Sequence, residues 1–267
     1  MSIKEIYSIE QISKQYETGE MPVLVRCSDR NDYICKYMRT PSSAHKLVCE
    51  LIGAYMIKNW SISSPQMNLV RIKREHWNSL QGSKYISQSP AVGYMKLSSV
   101  FDITHTTYAF VKKSKETLVQ LLKIALFDFW MSNEDRTYNN ANLLYDLKTD
   151  EFVSIDYGGI FNTSSFNYPM SLLTQTDSIL YSEVFKQYKE VYENEVIMRC
   201  ALGLKEYYID ALDGCKGVVK LILKTIPVEW CIDDKIVSNK ISQILDSEWV
   251  EKVWDNYIQC LKDNLYE

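Results

Sequence analysis

A chain of 267 residues is long enough for one large domain or for two lobes around a cleft, and either can bury a core without a partner. With 46% apolar and 24% charged residues, and only nine Gly and six Pro, the composition is that of a helix-rich globular protein and argues against disorder. A net charge of -4 argues against general nucleic-acid binding, which needs a dense basic surface, so no direct nucleic-acid contact is expected.

The opening MSIKEIYSIE carries charges where a signal peptide has an apolar core. No stretch approaches the ~18 uncharged apolar residues of a membrane span. The seven cysteines (Cys27, Cys35, Cys49, Cys200, Cys215, Cys231, Cys260) are scattered without a C-x-x-C pair. They read as reduced thiols of a cytoplasmic protein, not as a disulfide or zinc framework.

In chain order, Ile3, Ile6, Ile9 and Ile12 recur at roughly helical spacing, which predicts a short amphipathic helix or helix-turn over residues 3–17. Two β-rich runs, 23–27 and 33–37, flank the turn Ser28-Asp29-Arg30-Asn31-Asp32 and predict a hairpin, ended by Pro41. From Ser42 or Ser43 as N-cap, the next segment places Leu47, Leu51, Ala54 and Tyr55 on one helix face. Short strands follow at 66–72 and 91–97. Residues 115–131 read as a long buried helix, its apolar run interrupted by Gln120, Lys123 and Asp128. A polar loop, SNEDRTYNNAN, then leads into a second hairpin, 143–145 with 151–155, around the turn 146–150. Beyond about Thr174 the periodicity is helical through to Leu265. This order predicts an α+β chain with a β-rich lobe over residues 1–95 and a mainly helical lobe over 96–267. The mixed element 132–157 lies where they meet.

The stretch best suited to chemistry is Asn133-Glu134-Asp135-Arg136-Thr137-Tyr138-Asn139-Asn140-Ala141-Asn142, followed by Ile155-Asp156-Tyr157-Gly158. Phosphoryl transfer to a hydroxyl needs a carboxylate beside the acceptor oxygen, a metal-binding group shortly after it and a further carboxylate for Mg²⁺. Asp135, Asn140 and Asp156 supply that set. The spacing from Asp135 to Asn140 equals that of the kinase catalytic loop H-R-D-x-x-x-x-N, and Asp156-Tyr157-Gly158 ends the next hairpin, as D-F-G does. By residue type alone an Asp/Asn-rich loop is also an ordinary solvated turn, and Asn142 competes with Asn140 for the metal role. Upstream, Lys36 lies inside the apolar strand Tyr33-Ile34-Cys35-Lys36-Tyr37 and Glu50 lies mid-helix. The strand-Lys and helix-Glu ion pair of kinases calls for this arrangement, although an outward strand lysine and a solvated helix face are the plain alternatives.

With P-V-L-V-R, Y-I-C-K-Y, the C-E-L helix, N-E-D-R-T-Y-N-N-A-N-L-L and I-D-Y-G-G-I-F in this order, the chain resembles the HipA-like kinases over about residues 22–161. These are relatives in fold of protein and phosphatidylinositol kinases. The resemblance implies a two-lobed protein-kinase-like fold with ATP and Mg²⁺ in the cleft. It further implies a Ser/Thr hydroxyl of an unidentified protein as acceptor, and an antitoxin or other regulatory protein as partner. By the same resemblance Lys36 holds the α/β-phosphates, Glu50 pairs with Lys36, Asp135 is the catalytic base, and Asn140 and Asp156 hold Mg²⁺.

Two features depart from the pattern. No G-x-G-x-x-G precedes the first hairpin strand, only Thr18-Gly19-Glu20, and Thr137 stands where relatives often place a His. A catalytically inactive kinase-fold binding module and a small-molecule kinase therefore stand as alternatives. His45, His76 and His105 lack ligand spacing and read as surface or packed histidines. Tyr181, Tyr188, Tyr192, Trp249 and Trp254 fit helix-packing positions. No G-x-x-x-x-G-K-[ST] or G-x-S-x-G occurs, which disfavours P-loop enzymes and serine hydrolases.

Overall fold

The computed structural model describes residues 3–77, 89–104, 106–137 and 140–266. His105, Tyr138 and Asn139 lie outside the described residues.

Alternation sets the first hairpin. Strand β3 (Val23–Arg26) pairs antiparallel with β4 (Asp32–Lys36), with Val23 opposite Cys35 and Val25 opposite Tyr33. These four side chains are fully buried on one face. Because strand side chains alternate, Ile34 and Lys36 must leave by the other face, which borders the main cleft.

Further strands extend this pair: β1 (Glu5–Tyr7), β2 (Lys14–Gln15), β5 (Met67–Arg71) and β6 (Ala91–Met95). Among the described residues the sheet runs β1-β5-β6-β4-β3-β2, with β1 parallel to β5 and the other neighbours antiparallel. The helix expected over residues 3–17 is not formed. Instead Ile6 faces the core between exposed neighbours in a strand, Ile12 is buried nearby, and Ile9 is exposed. The parallel partner that decides the outcome, Leu69 opposite Glu5, is too far along the chain for local periodicity to register.

Helix α1 (Ala44–Asn59) is buried almost all round, as expected of a helix packed on more than one side. It lies against β6 and against the later helix Lys205–Thr225, where the Tyr55 hydroxyl meets Thr225 Oγ1 at 2.9 Å. Gly53 permits the closest approach in this layer, since a Cβ there would stand 2.4 Å from Tyr157 Cβ. The helix is thereby pressed onto the Asp156-Tyr157-Gly158 segment.

Helix α2 (Lys115–Met131) begins at a reciprocal cap: Ser114 Oγ accepts from the Thr117 N–H at 3.3 Å, and the Ser114 N–H donates to Thr117 Oγ1 at 3.0 Å. It ends at Ser132, whose left-handed backbone (φ 46°) turns the chain sharply into the Asn133-Glu134-Asp135 loop. Strands β7 (Val100–Asp102), β8 (Leu143–Asp146) and β9 (Glu151–Ser154) form a second antiparallel sheet, and β9 packs on α2.

The helices Glu183–Val191, Asn194–Leu202, Lys205–Thr225, Asp234–Ile244 and Ser247–Tyr266 complete the C-terminal part. Tyr188 is buried there, and Tyr181, Tyr192, Trp249 and Trp254 pack partly buried against the same core. His45 stacks on Phe166, and His76 Nδ1 meets Ser8 Oγ at 2.7 Å, so both are packed histidines. The outcome is the expected α+β order, β-rich at the N-terminus and helical at the C-terminus. The cysteines are free thiols, and among the described residues no helix is long and apolar enough to cross a membrane.

Candidate active site

The Lys36 ammonium meets three carboxylates: Glu50 Oε1 at 2.5 Å, Asp156 Oδ1 at 2.7 Å and Glu20 Oε2 at 3.1 Å. Burial works to lower the lysine pKa, but these anions raise it well above the usual range, so the side chain stays charged. Glu50 is fully buried behind it. Its second oxygen accepts from the Tyr94 hydroxyl at 2.7 Å and from the Tyr157 N–H at 3.0 Å. Burial pushes the Glu50 carboxyl above the ordinary range, while Lys36 and the Tyr94 hydrogen bond draw it back. The carboxylate thus links sheet, helix α1 and the Asp-Tyr-Gly segment through one buried point.

Asp156 adopts a left-handed backbone (φ 63°), a conformation that Asp tolerates better than most residues and one concentrated at functional sites. Its Oδ1 also accepts from the Gly158 N–H at 3.3 Å. Burial opposes ionisation, yet contact with Lys36 holds the carboxyl below its ordinary value.

Asp135 projects from the loop after α2 and is surrounded by amides. Asn140 Nδ2 donates to its carbonyl at 3.1 Å and to Oδ1 at 3.3 Å; Asn142 Nδ2 donates to the same carbonyl at 3.1 Å and to Oδ2 at 3.2 Å. Both asparagines border the cleft, and the geometry does not favour one over the other. Burial, followed by the Asp156 charge, raises the Asp135 carboxyl above the usual aspartate range. Gly159 makes room for it, because a Cβ there would stand 2.5 Å from Asp135 Cβ.

Beneath this loop lies Arg136, fully buried. Its Nε pairs with Asp128 Oδ2 of α2 at 2.7 Å. Its terminal nitrogens donate to the Ala141 carbonyl (3.0 Å), the Asn142 carbonyl, Ser154 Oγ (2.9 Å) and the Ile155 carbonyl (3.2 Å). Sequence reasoning assigned no role to Arg136. The available signal was Asp128, a carboxylate inside the apolar run of a buried helix, which requires a buried cation.

Lys36, Asp135, Asn140, Asn142 and Asp156 all line one cleft of about 870 Å³, with Glu50 just behind Lys36. Apolar groups, among them Ile34, Leu97, Phe101, Leu144 and Ile155, line the same space. Glu20 and Lys46 stand in its wall without having been singled out from sequence.

A β-rich region followed by a helical one, with a strand lysine and two loop aspartates on one cleft and a helix glutamate behind the lysine, defines the protein-kinase-like class. The family model for HipA-like kinases matches residues 9–257, and the chain belongs to that family. The crystal structure of a Helicobacter pylori proinflammatory kinase, CtkA, is similar in fold, with a TM-score of 0.55 at 12% identity over 98% of each chain. No curated protein matches the chain.

Proposed function

We propose that this chain transfers the γ-phosphoryl group of ATP, with Mg²⁺, to a Ser/Thr hydroxyl of a protein. The observation that carries the reading is the junction at Lys36, held between Glu50 and Asp156 on the cleft that Asp135 also enters. In this reading the N-terminal strands with α1 act as an ATP-orienting lobe and the following residues as the catalytic lobe. Lys36 holds the α/β-phosphates and Glu50 fixes the lysine. The apolar stretch of the cleft from Ile34 to Leu144 and Ile155 accommodates the base.

The residues fit Mg²⁺. Asp156 offers an ionised carboxylate and Asn140 or Asn142 an amide oxygen, and Mg²⁺ in kinase sites completes its shell with water and substrate phosphates. Among the described residues no group of three or more His, Cys, Asp or Glu side chains could hold an ion alone. Bound Mg²⁺ would supply charge neutralisation at the β- and γ-phosphates. Asp135 receives the hydroxyl proton of the acceptor. The amides of Asn140 and Asn142 orient its carboxylate, and Arg136 holds the loop that bears all three.

The test is incubation of the full chain with γ-labelled ATP and Mg²⁺, with mixed proteins as acceptors, followed by mass spectrometry. Label on Ser or Thr that disappears in Asp135→Asn is the expected result. Bound ATP with no transfer to any acceptor would favour an inactive binding module, and label recovered only on small alcohols would favour a small-molecule kinase.

A further inference from the structure

The tip of the β2–β3 hairpin, where a phosphate-covering loop belongs, puts a carboxylate into the cleft. Glu20 bridges two lysines, with Oε2 3.1 Å from Lys36 Nζ and Oε1 3.0 Å from Lys46 Nζ. The tip is a defined turn. The Met21 N–H donates to the Thr18 carbonyl and the Tyr16 N–H to the Pro22 carbonyl, both at 2.9 Å, and Met21 is left-handed at φ 48°. Arg39 Nη1 donates to the Gly19 carbonyl at 3.2 Å and ties the turn to the rim.

Lys46 and Glu50 are four positions apart on α1 and so share a face. The helix therefore sets a second ammonium at the rim, above the buried Lys36–Glu50 pair. Around this point Lys36 meets the carboxylates of Glu20, Glu50 and Asp156, and Lys46 meets that of Glu20. A triphosphate reaching both ammonium groups must therefore compete with a carboxylate already spanning them. Glu50 and Asp156 are fixed by further contacts to Tyr94, Tyr157 and Gly158. Glu20 sits instead on a turn tip, its side chain 31% exposed and held by Lys36 and Lys46. Its two oxygens, spanning two ammonium groups, present the arrangement that phosphate oxygens would.

We propose that Lys46 is a second phosphate-binding cation of the nucleotide site, and that Glu20 is its intramolecular placeholder, displaced as the triphosphate enters. The inference rests on the ATP-binding reading above. On entry, the phosphates take over Lys36 and Lys46 while the Glu20 carboxylate passes to water. The exchange sets a threshold on nucleotide affinity without altering the chemical step.

Calorimetric titration of the full chain with Mg²⁺-ATP, inorganic triphosphate and adenosine tests it. Glu20→Gln should tighten ATP and triphosphate by roughly three- to tenfold, the scale of a partly exposed ion pair, with adenosine unchanged. Glu20→Ala should move affinity in the same direction. Lys46→Met should weaken ATP and triphosphate by a similar factor and again leave adenosine unchanged. Wild-type binding of ATP with equal or weaker affinity in Glu20→Gln overturns the placeholder alone, and equal affinity in Lys46→Met overturns the second cation. If wild type, Glu20→Gln and Glu20→Ala all fail to bind ATP better than adenosine, the nucleotide reading itself falls.

Discussion

Arg136 and Asp128 form an ion pair at 2.7 Å from which water is excluded. The pair joins the last turn of a buried helix to the residue after Asp135, and the same guanidinium grips both Asn142 and Ile155. One side chain therefore sets the separation between the loop bearing Asp135 and the strand end bearing Asp156. Removing one partner of such a pair leaves a buried charge uncompensated, which typically costs about 3–5 kcal/mol. Arg136→Ala is expected to lower the unfolding free energy by about that amount in urea titration. A loss below about 1 kcal/mol would mean that the buried pair does not hold the loop in place.

Gly159 supplies a gentler perturbation of the same geometry. Its backbone is unstrained (φ −90°), so the cost of a side chain there is steric and falls on Asp135 Cβ. Gly159→Ala should displace Asp135 and reduce phosphoryl transfer by roughly tenfold or more, with nucleotide affinity nearly unchanged. Steady-state kinetics beside ATP titration measures this. Unaltered transfer in a folded variant would show that Asp135 has more room than its neighbours suggest.

Much of this arrangement was legible in the sequence because its determinants are local. The alternation Val23, Val25 and Tyr33, Cys35 marked the hairpin, and its parity sent Lys36 into the cleft. The apolar run over 115–131 marked α2, and the structure adds the cap at Ser114. What remained hidden depends on distant pairings. The isoleucine spacing over Ile3 to Ile12 imitates a helix, but the parallel contact between Glu5 and Leu69 makes it a sheet edge. Strand β7 is short and takes its form from Tyr145 and Leu144 opposite Phe101 and Asp102. Arg136 and Glu20 carry no periodic signal. Asp128 in its apolar run signals a buried cation without saying which, and the pairings are settled by Arg136 lying against it and Lys46 beside the hairpin tip.

The acid limb of the pH profile should report Asp135. The base must be ionised to accept a proton, so transfer falls as pH drops through its pKa. Burial and then Asp156 place that pKa above the ordinary aspartate range, while the Asn142 and Asn140 hydrogen bonds lower it. Asn142→Ala removes one lowering contact. Its limb in kcat/KM should therefore move to higher pH than in wild type. Movement to lower pH would contradict the assigned hydrogen bonds.

The most direct test sets Asp135→Asn beside Asp156→Asn in calorimetric titrations of ATP with and without Mg²⁺. In the proposed reading Asp135 faces the acceptor, so its amide variant should bind Mg²⁺-ATP nearly as wild type does while losing roughly 10²-fold or more in transfer. Asp156 is already ionised and sits against Lys36, at the proposed metal position. Its amide variant should lose the Mg²⁺-dependent part of ATP affinity along with transfer. Equal loss of Mg²⁺-ATP binding in both variants, or no loss in either, would contradict the division of labour between the two aspartates.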